Sequence, residues 1–293
     1  MIISVSTDGV MCAWTTDMLA RPQEYLELTY PPPLQTATTS TLLSKVVDDL
    51  SPLSVTFSRN DSSSFYVGTE EGSIWGINRY DRAGAKAGTD SSIRFQNHFA
   101  PVTKVELHRA GLGGGTGETS EFDDLLLSTS LDWSVRLWRT RHPASAVAGD
   151  VRTITPVIEW VREDMVYDVA WSPVRPSLFT TVDGSGALEL WDLTSSDPEI
   201  PVAWTRDSEG ARALNKVCWE TGPEGRKVVT GALDGRVQVW DLGAEYGIEG
   251  AGGKEEVLGI KKFLARCEGE RGLGGGSNAG VLERERRTSL SWR

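Results

Sequence analysis

The chain has 293 residues, 39% hydrophobic and 24% charged, with a formal net charge of −11: a globular composition ill suited to a phosphate-binding surface spread over its length. Its three cysteines, Cys12, Cys218 and Cys267, lie far apart with no CxxC pair. This argues against a disulfide framework and a cysteine zinc site, and it reads as three reduced thiols. The opening MIISVSTDGV lacks a basic region followed by a sustained apolar stretch, and no apolar run reaches about 18 residues, so the chain reads as soluble and intracellular.

In chain order, IISVS leads into a turn at Asp8 and Gly9, TDGVMCAW brings a second strand ending on Trp14, and EYLELTY (24–30) gives a third. The same arrangement then returns with one more strand in front. LSVTFS (53–58), SFYVGT (64–69), EEGSIWGI ending on Ile77, and SIRFQ (92–96) form the second set. TKVELH (103–108), LLLSTS (125–130), LDWSVRLW ending on Trp138, and PVIEW (156–160) form the third. YDVAWS (167–172), LFTTV (178–182), GSGALELW ending on Trp191, and PVAW (201–204) form the fourth. NKVCWE (215–220), KVVTGA (227–232) and LDGRVQVW ending on Trp240 begin the fifth, with VLGIKKFL (257–264) as a weaker outer strand.

Apolar residues alternate with polar ones along these segments, the period of half-buried strands. In LDGRVQVW the inward set reads as Val237, Val239 and Trp240. Four short antiparallel strands repeating every ~40–60 residues define the blades of a β-propeller. The fold class expected is all-β: an incomplete WD-repeat propeller of about four full four-stranded blades plus a partial first blade. A lone blade exposes two apolar faces, so blades must stack. The chain starts in mid-blade, which reads as an N-terminally truncated propeller. Residues 1–265 are assigned to it and the Gly, Arg and Glu-rich 266–293 to a disordered tail. The stretches 79–91, 111–117, 139–155 and 243–256 read as loops.

Three constellations invite chemistry. His98, Ser130 and Asp132 have the residue types of a nucleophilic triad. Their spacing has a better account: His98 precedes an innermost strand, Ser130 and Asp132 flank the next turn, and Trp138 closes the pattern. In WD repeats these positions hold a hydrogen-bond network that ties the strands of a blade, and His98, Ser130 (or Ser128), Asp132 and Trp138 match it. GLGGGTG and GLGGGS lack the Lys-Ser/Thr ending of a phosphate loop and read as linkers. With only His98, His108 and His142 available, a histidine metal site is not expected, nor is a cofactor. Most of the 11 tryptophans occupy repeat positions and read as core. Trp133 is different, since it stands in a turn where other copies carry Gly9, Gly72, Gly186 or Gly235, and it is a candidate partner contact.

Beyond the generic repeat, LLSTSLDWSVRLWRT (126–140), DMVYDVAWSPVRPSLFTTVDGSGALELWDL (164–193) and ALNKVCWE (213–220) closely resemble the propeller of dynein intermediate chains, particularly the cytoplasmic ones. VGTEEGSIW (67–75) and HFAPVTKVELH (98–108) support the match, which covers about residues 1–242 and leaves the segment after 243 outside it. The resemblance implies a non-catalytic subunit in the cytoplasm, associated with microtubules through the dynein complex. It would bind the dynein heavy-chain tail through the propeller and support cargo transport. The family's light-chain and dynactin segments lie before the propeller and match no residue here, and the motor's ATPase belongs to the heavy chain. Neither nucleic acid, membrane nor small-molecule substrate is implied. Two other readings stand beside it: a WD-repeat scaffold of a ubiquitin ligase or histone chaperone, and a propeller hydrolase, which needs convergent acids or metal ligands on one face.

Overall fold

A computed structural model of the chain describes residues 2–30, 49–58, 63–83, 86–89, 93–108, 122–140, 152–206, 212–222, 224–250 and 252–274. The first blade holds β1 (Ile2–Val5), β2 (Val10–Trp14) and β3 (Glu24–Leu28). The second holds β4 (Pro52–Phe57), β5 (Ser64–Thr69), β6 (Ile74–Ala83) and β7 (Lys86–Thr89), after which comes the short β8 (Ile93–Phe95). The third holds β9 (Val102–Leu107), β10 (Leu125–Ser130) and β11 (Ser134–Arg139), with β12 (Arg152–Ile154) interposed before its outer strand β13 (Ile158–Val161). β14 (Val166–Trp171), β15 (Leu178–Asp183), β16 (Ala187–Asp192) and β17 (Ala203–Arg206) make the fourth, and β18 (Leu214–Trp219), β19 (Lys227–Ala232) and β20 (Val237–Asp241) the fifth. Within each blade, successive strands pair antiparallel.

The innermost strands β4, β9, β14 and β18 stand side by side, so the sheets are stacked like sectors around an axis. Alternation along each strand puts apolar residues on both faces of a blade, and four clusters fill the four gaps between the five blades. Met11, Leu28, Phe65 and Val67 join the first two blades. Ile74, Val105, Leu126 and Trp138 join the second and third. Leu127, Leu137, Val169 and Phe179 join the third and fourth, and Leu188, Leu190, Val217 and Trp219 the fourth and fifth. This is the incomplete WD-repeat propeller that the sequence implies.

Several local expectations need correction. SIRFQ is not the outer strand of the second blade: β7 fills that place beside a β6 that continues to Ala83, so the stretch 79–91 read as a loop is largely strand, while β8 pairs parallel with β12, itself inside the 139–155 stretch read as a loop. VLGIKKFL is not a strand. It lies within an α-helix, α1 (Lys254–Gly274), so the fifth blade has three strands among the described residues, and the helix runs past 265 into the segment assigned to a tail. The rest of that segment, 275–293, lies outside the described residues. Finally, Val237 and Val239 are 71% and 65% exposed rather than core. They occupy the places of Leu188 and Leu190 one blade earlier, which the following blade covers; beyond the fifth blade no described element does so.

The helix earns its place by packing, because its own sequence has little amphipathic bias. Ile260, Phe263 and Leu264, spaced as one helical face, enter the cluster between the third and fourth blades beside Phe122, Leu125 and Leu193. That is the end of the blades away from the Asp-bearing turns. Gly259 permits the approach, since a Cβ there would meet Thr194 Cγ2 at 2.8 Å. Glu256 anchors the first turn: Oε1 accepts from Ser177 Oγ at 2.6 Å and Ser177 N at 3.1 Å, and Oε2 from Gly252 N at 3.2 Å. Arg139 Nη1 donates to Glu268 at 2.9 Å near the other end. Because Glu256 is buried, Glu256→Ala strands its donors and costs about 2 kcal/mol. Hydrogen exchange should then show the helix amides losing protection while the β10–β11 hairpin keeps its own; uniform protection in the variant contradicts this anchoring role.

Candidate functional site

The densest polar constellation lies in the third blade, at the end where the strands turn through 131–133. β10 and β11 are held in register with Leu126 opposite Trp138 and Ser128 opposite Arg136. Side chains two residues apart share a face, so Ser128 and Trp138 meet on the diagonal, and Trp138 Nε1 donates to Ser128 Oγ at 2.8 Å. Ser128 Oγ lies 2.7 Å from His98 Nε2. His98 Nδ1 lies 3.1 Å from Asp132 Oδ2. The second carboxylate oxygen, Oδ1, accepts from Ser134 N at 3.0 Å and Ser134 Oγ at 2.6 Å, and Oδ2 also accepts from Phe99 N at 2.9 Å. With the proton on Nδ1, every donor in the chain Trp138, Ser128, His98, Asp132 has one acceptor.

The charges follow from this geometry. Burial drives the His98 imidazole below its ordinary pKa and outweighs the carboxylate beside it, so the ring is neutral. Burial works against ionisation of Asp132, but hydrogen bonds from His98 and Ser134, aided by the His98 ring and the Phe99 amide, prevail and hold the carboxyl well below its usual range.

Of the residues the sequence nominated, His98, Asp132 and Trp138 come together, and Ser128 rather than Ser130 joins them. Ser130 Oγ instead donates to Ala100 O at 3.0 Å and accepts from Asp132 N at 3.1 Å, fastening the turn to the loop beside it. Ser134, which sequence reasoning passed over, is the second hydroxyl on Asp132. The Ser128, His98, Asp132 chain has the connectivity of a hydrolytic triad. Ser128 is completely buried beneath Trp138, however, and no substrate carbonyl can reach its Oγ. What the arrangement can do is bind strands β9, β10 and β11 and the 98–100 loop into one unit.

A reduced form recurs in three of the other four blades, the second having Ile77 in place of the tryptophan. Trp14 Nε1 donates to Ser4 Oγ at 2.8 Å, Trp191 to Thr181 Oγ1 at 3.0 Å and Trp240 to Thr230 Oγ1 at 2.9 Å. In all four, Trp138 and Ser128 included, the hydroxyl stands ten residues before the tryptophan. That interval was readable in the sequence and would have selected Ser128 over Ser130.

The turn carries the second feature. Gly9, Gly72, Gly186 and Gly235 have φ of 79°, 84°, 82° and 86°, and the residue in the same conformation in the third blade is Trp133, with φ 69°. A Cβ is disfavoured there, and among the described residues Trp133 is the one non-glycine with positive φ. Trp133 is 47% exposed, and Phe99, held by the same Asp132, is 89% exposed.

Stacked four-stranded sheets with turn Asp and strand-end Trp residues define a WD-repeat β-propeller protein. No family model matches the chain. The cytoplasmic dynein 1 intermediate chain of Drosophila melanogaster is 33% identical to it over 241 residues, which is 82% of this chain and 30% of that protein. The chain belongs to the dynein intermediate chain family. It spans about 30% of the length of that relative. Among the described residues no helix is long and apolar enough to cross a membrane.

Proposed function

We propose that the chain acts as a non-catalytic subunit of a dynein motor complex, docking on the heavy-chain tail through its propeller and supporting microtubule-based cargo transport in the cytoplasm. The observation that carries this reading is the likeness to a dynein intermediate chain across most of the chain, blades and turns included. The physics of the third blade agrees with it. The Ser128, His98, Asp132 chain is sealed, and its hydrogen bonds rigidify a surface instead of exposing a nucleophile. A surface held rigid in this way loses little conformational freedom on binding, which suits a docking subunit.

The test is co-purification. The tagged 293-residue chain, expressed in its own cells, should bring down a dynein heavy chain in stoichiometric amount. Clean absence of heavy chain from material in which the bait is folded overturns the reading.

A further inference from the structure

We infer that Trp133 and Phe99 form a preorganised two-aromatic anchor, and that its partner is a segment offering an apolar cleft edged by lysine and arginine. The inference rests on the docking reading above and places the heavy-chain contact on this corner of the third blade.

Three observations lead there. The first is strain: four equivalent turns use glycine, and this one holds a tryptophan at φ 69°, a conformation that a side chain adopts at a cost. Burial does not compensate, because almost half of the residue's surface is open to solvent. The second is fixation. Asp132 immediately precedes Trp133 and takes the Phe99 amide hydrogen at 2.9 Å, so one carboxylate sets both backbones. Arg162 N donates to Trp133 O at 2.7 Å, which adds the end of β13 and brings Val161, 68% exposed, to the same corner. The Arg136 guanidinium, 6.0 Å from the centre of the Phe99 ring, lies beneath that side chain. Large aromatics held in one geometry before binding have the properties of interface hot spots.

The third observation is charge. The turn of the second blade rests on the 98–100 loop, with His98 N donating to Gly72 O at 2.9 Å, so the exposed Glu70 and Glu71 sit on a turn that touches the loop carrying Phe99; the Glu71 carboxylate also accepts, through Oε2, from the Tyr30 hydroxyl at 2.6 Å. Glu163 follows Arg162 on the opposite side, exposed and paired with Arg206 at 3.2 Å. The nearby cations Arg136 and Arg162 are engaged with Glu159 and Glu189. An apolar anchor between carboxylates selects a basic rim on its partner and repels an acidic one.

The experiment measures binding of the full 293-residue chain to recombinant dynein heavy-chain tail, with thermal melting of each variant in parallel. W133G restores the repeat's own residue. It should weaken binding by about tenfold or more while leaving the melting temperature unchanged or higher, because strain is relieved. F99A, at an exposed site, should weaken binding to a similar degree without altering melting. E70K/E71K should slow association and blunt its salt dependence. If the unaltered chain does not bind the tail, the docking reading fails and this inference falls with it. If it binds and W133G and F99A bind equally well, only the inference fails. A W133G chain that melts well below the parent assigns Trp133 to the fold and also overturns it.

Discussion

Asp132→Ala lowers the stability of the chain by about 3 kcal/mol, at the upper end of what stranding buried hydrogen-bond donors costs. The size follows from the number of donors that lose their acceptor together: His98 Nδ1, Phe99 N, Ser134 N and Ser134 Oγ. Water cannot replace the carboxylate around a ring buried to the extent of His98. At roughly 2–4 °C per kcal/mol for a domain of this size, the melting temperature should drop by roughly 6–12 °C. Asp132→Asn keeps the shape but points amide hydrogens at the same donors, so it should recover less than half of the loss. Smaller substitutions test the connectivity. Ser128→Ala deprives both Trp138 and His98 of a partner and should cost about 2 kcal/mol, against about 1 for Ser130→Ala, which loses one bond within the turn and one to Ala100 O. A Ser130→Ala cost above that of Ser128→Ala would contradict the assignment of Ser128 to the network.

The difference between these serines shows that strand alternation alone is too coarse a pattern. Ser128 and Ser130 lie two apart on β10 and share a face, so alternation nominates both. The ten-residue interval back from the strand-end tryptophan, repeated in four blades, is what singles out Ser128, and the register, with Leu126 opposite Trp138, supplies its reason by putting that hydroxyl on the tryptophan's diagonal. Strands and turns were legible because four of the five blades repeat the same local solution, an Asp that caps its own turn and an aromatic that ends the next strand, and the second keeps the pattern with Glu71 and Ile77 in those places. Asp8, Asp132, Asp183 and Asp234 each accept a backbone amide two to four residues on, a purely local interaction that repeats wherever the turn does.

The helix was hidden for the opposite reason. Val257, Ile260, Phe263 and Leu264 have helical spacing, but the flanking glycines and charges suggest a loop, and a segment of eight residues with apolar ends around Lys261 and Lys262 is short enough to read as a strand. What selects helix is a tertiary surface, the cluster between two blades that Ile260, Phe263 and Leu264 complete. The misreading of Val237 and Val239 is of the same kind. Their alternation is that of a covered face, and whether anything covers it depends on a neighbouring blade, not on the strand.

Strain and burial also divide the third blade into two jobs carried by adjacent residues. Asp132 is largely enclosed and holds the blade, whereas Trp133 points outward from a conformation that glycine would adopt without cost. The stabilising network can offset that cost, since the ~3 kcal/mol lost with Asp132 at least matches the ~1–3 kcal/mol of one left-handed residue. A blade with the full set, His98, Ser128, Asp132, Ser134 and Trp138, is therefore the one that can tolerate an unfavourable turn, and it is the one that has it.

Acid should unfold the chain in a window set by its histidines. Burial pushes the His108 imidazole down to about 4, and the hydrogen bond from its Nε2 to Pro176 O, 2.8 Å long, only partly opposes this. The ring is packed edge-on to Trp171 with centroids 4.5 Å apart, leaving no room for the water a charged imidazole requires. His98 is shifted in the same direction by the same cause. For a base with a depressed folded pKa, the unfolded chain binds the proton first as pH falls. Stability is therefore intact above the unfolded value of about 6.5 and declines between there and the folded value. Each histidine contributes a slope of up to ~1.4 kcal/mol per pH unit, and His108 alone removes roughly 3 kcal/mol across its window. Asp132 acts lower down: its depressed carboxyl stabilises the fold above the ordinary aspartate range, and that share is lost only as pH falls through the folded value. Glu189 works the other way, because burial outweighs Arg162 and raises its carboxyl, so proton uptake by the folded state recovers part of the loss. Urea melts at pH 7, 6, 5 and 4.5 should show the midpoint falling steadily below pH 6.5, while NMR should show the His108 ring signals unchanged until the fold is lost. A midpoint that stays level from pH 7 to 5, or a His108 that titrates near 6.5 in the folded chain, would place that ring in water and undo the assignment.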